Sequence, residues 1–199
     1  MQLKFKHVVY LTGVAVIIFS TSHAFGEEAE NSVINRMRLT ELTLITGYGE
    51  GSVPEGTYRH ILLICHLGFD LKRFFPQLEN HRGVTSFFLE PKINPVLDPD
   101  TGVEFGISLG IKYRHPLNEK LSGYVFGSVG PHYITVETEN QADGFIFFNT
   151  IGAGLSFFLT KTSAVNVEYR FRHASNASTH EPNGGIDSHI GAVGYSLFF

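Results

Sequence analysis

The 199-residue chain has one cysteine, Cys65, and no tryptophan. One thiol excludes an internal disulfide and any multi-cysteine zinc site. Cys65 reads as a small apolar packing residue. Cations are also scarce. Fifteen Lys and Arg against nineteen Asp and Glu give a formal charge of −4, which argues against nucleic acid as a partner. Beyond the first two dozen residues, no apolar run is long enough for a transmembrane helix. No glycine-rich phosphate loop is present, since Gly106 and Gly110 fall inside a strand pattern.

Residues 1–24 read as a secretory signal peptide. Lys4 and Lys6 form a basic region, Val8 to Phe19 is mostly apolar, and small residues follow around Ala24. The apolar run is short for an anchor helix, and no cysteine near the cleavage site marks a lipoprotein. Losing the two lysines takes the charge from −4 to −6. Residues 25–199 are then a single domain.

That domain is rich in Phe, Tyr and Gly. Eight amphipathic strands are expected: 38–48, 58–69, 85–93, 103–114, 121–133, 145–159, 164–175 and 186–199. Most are long enough to cross a membrane when tilted. The fourth has the cleanest alternation. Val103, Phe105, Ile107, Leu109, Ile111 and Tyr113 share one face, and Glu104, Gly106, Ser108, Gly110, Lys112 and Arg114 the other. Glu90, Glu168, Arg170 and Arg172 also fall on polar faces, with both signs present to pair. The expected fold is all-β, an eight-stranded antiparallel transmembrane β-barrel with apolar faces to lipid and a filled polar lumen. The ending Tyr195-x-Leu197-x-Phe199 is similar to the signal that the barrel-assembly machinery reads in bacterial outer-membrane proteins. An even strand number puts both termini in the periplasm. The outer loops are then expected at 49–56, 94–102, 137–144 and 176–185. None of these loops carries Lys or Arg. A homo-oligomer is left open.

The last 35 residues hold a candidate site. Val165, Val167, Tyr169, Phe171, His173 and Ser175 share the apolar face of the seventh strand. A base and a nucleophile, about 7 Å apart at Cα, thus point at lipid. In a hairpin over 176–185, Asp187 comes opposite His173 or Ser175. Nucleophile, base and orienting carboxylate are what acyl transfer requires. Backbone N–H groups and amides at Asn176, Ala177 and Asn183 could stabilise an oxyanion. Gly184-Gly185 would let the loop turn tightly. Two other combinations are weaker. His189 could partner Asp187, and His180 with Glu181 could imitate a metal pair. Spacing alone also fits polar rim residues at headgroup level. The Asn176-Ala177-Ser178 sequon is incidental.

Arg172-His173-Ala174-Ser175-Asn176-Ala177, followed by Pro182-Asn183-x-Gly185-Ile186-Asp187, closely resembles the signature of the lipid A 3-O-deacylase (PagL) family. That signature is His-x-Ser-Asn-Ala, then Pro-Asn-x-Gly-Ile-Glu. The resemblance implies a serine esterase of the bacterial outer membrane, without metal or other cofactor. Its substrate would be lipid A of lipopolysaccharide in the outer leaflet, from which it removes the 3-O-linked hydroxy-fatty acyl chain. Ser175 would be the nucleophile, His173 the base and Asp187 the orienting acid. Asn183, with Asn176 and Ala177, would hold the oxyanion. Asp187 stands where the family usually has Glu, and Ser178 where Gly is often found. The rival expectations are a non-enzymatic small outer-membrane barrel, serving in adhesion or membrane stability, and a soluble periplasmic lipid-binding barrel.

Overall fold

The computed structural model describes residues 38–71 and 82–199. The expected signal peptide lies outside the described residues. Eight strands, β1 (Leu39–Val53), β2 (Gly56–Asp70), β3 (Val84–Asp98), β4 (Gly102–Pro116), β5 (Leu121–Ile134), β6 (Gly144–Thr160), β7 (Ser163–Ser175) and β8 (Ile186–Phe198), run in sequence order. Each pairs antiparallel with the next, and β1 closes on β8. No helix among the described residues is long and apolar enough to cross a membrane.

The barrel is inside out relative to a soluble one. On β4, Ile111 is 57% exposed, and Phe105, Ile107, Leu109 and Tyr113 also face outward, while Glu104, Ser108 and Lys112 are buried. A soluble lipid-binding barrel would bury the first set. Closure leaves no sheet edge, which satisfies the backbone without water.

The lumen holds stacked ion-pair layers. Near the loops, both Nη atoms of Arg172 donate to Glu104, at 2.6 and 3.0 Å. The Tyr58 hydroxyl and Asn94 amide also donate to Glu104. In the middle, Arg170 donates to Glu90 through both Nη atoms and to Glu168 through Nε. Lys92 joins Glu90. Toward the termini, Glu41 accepts from Lys112 and Arg114. Planar guanidinium forks suit such two-point contacts, and every charge here finds its opposite. An apolar plug that includes Val53, Val96, Ile134, Ile146, Phe148 and Ile186 fills the barrel beneath the loops. Small residues make this filling possible. A Cβ at Gly110 would overlap the Phe88 ring, and one at Gly152 the Phe126 ring.

Several strands run further than their patterns predict. β1 continues to Val53, so the first loop is only Pro54 and Glu55 instead of 49–56. Its alternation fades because Gly47, Gly49 and Gly51 occupy inward positions; a Cβ at Gly49 would overlap the His60 ring. β3 continues to Asp98 through Pro91 and Pro95, so the second loop shrinks from 94–102 to 99–101. Proline cannot donate to a ladder. The ladder to β2 is interrupted between His60–Val96 and Ile64–Lys92, and within that gap the Leu63 N–H donates to the Asn94 side chain at 3.2 Å.

Candidate active site

His173 and Ser175 end β7, and Asp187 is the second residue of β8. The hairpin register places His173 directly opposite Asp187. Nδ1 of His173 lies 2.7 Å from Oδ1 of Asp187. Direct cross-strand pairing brings the Cβ atoms close, so a carboxylate one methylene shorter than glutamate still reaches the ring. The contact makes Nδ1 the donor and leaves Nε2 as the free acceptor. Both side chains open to the outside, at 42% and 61% exposure, on a wall that is otherwise mainly apolar.

Ser175 is half-buried on the same face, opposite Phe147. Its hydroxyl makes no hydrogen bond among the described residues. The structure thus joins the base to the carboxylate and leaves the nucleophile apart. Such contacts commonly tighten only around substrate.

The loop after Ser175 is built around two asparagines. The Asn176 N–H donates to Oδ1 of Asn183 at 2.8 Å, and Asn183 Nδ2 donates to Ser178 Oγ. The buried Asn176 amide donates to the His180 and Pro182 carbonyls. Two of the three expected oxyanion donors are therefore already engaged, the Asn176 N–H and one hydrogen of the Asn183 carboxamide. The Ala177 N–H has no partner among the described residues. Residues 135–143 brace this loop: Gln141 bridges Asn183, Ala142 N–H donates to Pro182 O, and Gly184 N–H to Asn140 O.

Gly185 presses on the imidazole. Its φ is +78°, and a Cβ there would sit 2.7 Å from Cε1 of His173 and 3.0 Å from the Ala174 carbonyl oxygen. Only glycine takes that backbone without strain and leaves the ring its place.

Two other histidines near the loop are otherwise occupied. His189 Nδ1 pairs with the Tyr169 hydroxyl, not with Asp187. His180 Nδ1 accepts from Thr179 Oγ1, its Nε2 donates to the Asp143 carbonyl, and Glu181 accepts the Asn183 N–H. Among the described residues no group of three or more His, Cys, Asp or Glu side chains could hold a metal ion.

Two recesses flank the pair. An apolar groove of about 700 Å³ runs down the outer wall from His173, past Phe171, Ile151 and Val129, to Gly127 and Ile111. A polar recess of about 540 Å³ lies on the other side of Asp187, beside Glu50, Thr57, Asn140 and His189. The groove exists because Gly127, an outward position, lacks a side chain between Ile111 and Ile151. The wall of the groove also holds Asn149, directly across from His173, which the sequence pattern does not single out.

The family model for lipid A 3-O-deacylase (PagL) matches residues 63–196, well over half of the chain. The chain belongs to the lipid A 3-O-deacylase family. It is correspondingly an integral barrel of the bacterial outer membrane. Solved structures agree on the fold. The outer membrane enzyme PagL aligns with TM-score 0.55 at 15% identity, covering 80% of this chain and 99% of its own. Neisserial surface protein A aligns with TM-score 0.60 at 10% identity, covering 82% and 99%. No curated protein sequence matches. Against the deacylase signature, Ser178 stands in the place of a frequent glycine. It adopts φ 61°, beside Ala177 at φ 55°. Both are left-handed, a region that glycine enters freely and other residues at a cost of roughly 1–2 kcal/mol each. The local backbone is thus that of a glycine, carried here by a serine.

Proposed function

We propose that this family member hydrolyses the ester of the 3-O-linked acyl chain of lipid A. The observation that carries this is the His173–Asp187 pair, set on the lipid-facing wall at the head of an apolar groove and two residues from Ser175. A His/Asp pair serves little purpose facing lipid unless the substrate is itself in the membrane. The loop end then faces outward, toward the leaflet that holds lipid A.

Ser175 Oγ attacks the ester carbonyl carbon, and Nε2 of His173 takes the hydroxyl proton. Asp187 accepts from Nδ1–H and stabilises the imidazolium. The tetrahedral oxyanion meets the Ala177 N–H and the Asn183 carboxamide; the Asn176 N–H joins if Asn183 Oδ1 gives it up. The sugar oxygen leaves with the proton from His173. Water then attacks the acyl-serine, His173 takes its proton, and Ser175 and a free fatty acid are released. The acyl chain lies in the apolar groove, and the sugar in the polar recess beyond Asp187.

The test is mass spectrometry of lipid A incubated with the refolded barrel in detergent. Wild type should remove one hydroxy-acyl chain. Ser175→Ala and His173→Ala should lower turnover by at least about 10³-fold while the barrel still folds. Turnover by Ser175→Ala would overturn the nucleophile. A folded wild type inactive on several lipid A types would favour a non-enzymatic surface barrel, which the likeness to Neisserial surface protein A keeps in view.

A further inference from the structure

The outward face of β6 reads Phe145, Phe147, Asn149, Ile151, Ala153, Leu155, Phe157 and Leu159. Seven are apolar and one is a carboxamide. Asn149 is exposed, and its side chain makes no hydrogen bond among the described residues. It does not mark the point where the wall turns wet, because Phe145 and Phe147 lie between it and the loop. A carboxamide held against hydrocarbon without a partner costs roughly 1–3 kcal/mol.

Register shows what it faces. Asn149 is the direct cross-strand partner of His173 on one side and of Val129 on the other. It therefore stands where the apolar groove begins. Ser175 is opposite Phe147, which makes Asn149 its diagonal neighbour, with Cβ atoms about 7–8 Å apart. An acyl chain attached at Ser175 Oγ and running down the groove passes Asn149 first. The carbonyl carbon and two further carbons fill the space between the serine oxygen and the carboxamide. Atoms beyond those lie beside Ile151 and Gly127, where the outward positions of β5 and β6 carry no polar side chain.

We propose that Asn149 reads a hydroxyl on the second carbon beyond the ester carbonyl, and so selects 3-hydroxyacyl over unsubstituted acyl chains. This rests on the deacylase reading above. A neutral carboxamide both donates and accepts, which matches a hydroxyl. A hydroxyl-reading group penalises the analogue that lacks the hydroxyl, because its own polar atoms are then left facing hydrocarbon. Asn149 is a specificity residue, outside the proton-transfer steps.

The experiment uses two lipid A-like esters, identical except for that hydroxyl, presented in the same micelles to refolded wild type, Asn149→Leu and Asn149→Ser. Wild type should cleave the hydroxy ester roughly tenfold faster in kcat/KM. Asn149→Leu should bring the two rates together, so that the ratio of hydroxy to plain ester falls to about one. Asn149→Ser should retain part of the preference. Leucine suits a lipid-facing position, so folding is not at risk, and heat-modifiable gel migration checks it. An equal loss on both esters would mean that Asn149 serves the common ester group, and would overturn the assignment. So would an unchanged ratio, or a wild type with no preference. A wild type that cleaves neither ester would take down the deacylase reading, and this one with it.

Discussion

At Gly185 one methyl group is enough to disturb the site. An alanine there would carry a left-handed backbone and push the His173 ring at Cε1. Gly144 has a similar backbone, φ +97°, with nothing within 4 Å of a Cβ. The two alanine variants separate strain from crowding. Both should lose roughly 1 kcal/mol of stability. Gly185→Ala should also lose at least about tenfold in lipid A turnover, and Gly144→Ala should not. Equal turnover in the two would show that His173 is not held by this contact. The residues of the motif were legible because strand alternation places His173 and Ser175 on one face and the family signature singles them out together with Asp187. Asn149 was not, since a lone asparagine in an apolar strand means little until the register sets it beside the histidine. The signal that could have found it is the single polar break in the β6 outward face.

Among the strands, the lumen layers are the features most open to test. Glu104 accepts two bonds from Arg172 and one each from Tyr58 and Asn94. Glu104→Ala leaves a buried guanidinium uncompensated and should cost about 3–5 kcal/mol. Denaturant unfolding in detergent should show an earlier midpoint, and an unchanged midpoint would mean that water replaces the carboxylate. β4 was readable residue by residue because neither proline nor bulge interrupts it. β3 was read through Pro91 but only to Ile93, short of Pro95, whose missing N–H ordinarily ends a ladder. That the Asn94 side chain accepts the Leu63 N–H depends on a neighbour in β2, which no local pattern reveals. Glu41 escaped notice as a lumen charge for a related reason, since its partners Lys112 and Arg114 come from β4, whereas Lys92 pairs within β3 with Glu90.

For the whole molecule, the outward row Tyr195, Leu197 and Phe199 closes the chain. If the barrel-assembly machinery reads this ending, removing Phe199 should reduce insertion in cells severalfold and leave refolding into detergent intact. Equal loss in both would assign Phe199 a structural role instead. The same end of the barrel holds the seam. Thr43 and Ser196, 153 positions apart in the chain, share a 2.6 Å hydrogen bond. Contacts that distant are reached late, because the intervening loop must close first. β1 therefore stays half-paired until β8 arrives, and a half-paired strand cannot rest in hydrocarbon. Entry into the bilayer and completion of the circle become one event, and the first of the eight strands to be made is the last to be satisfied.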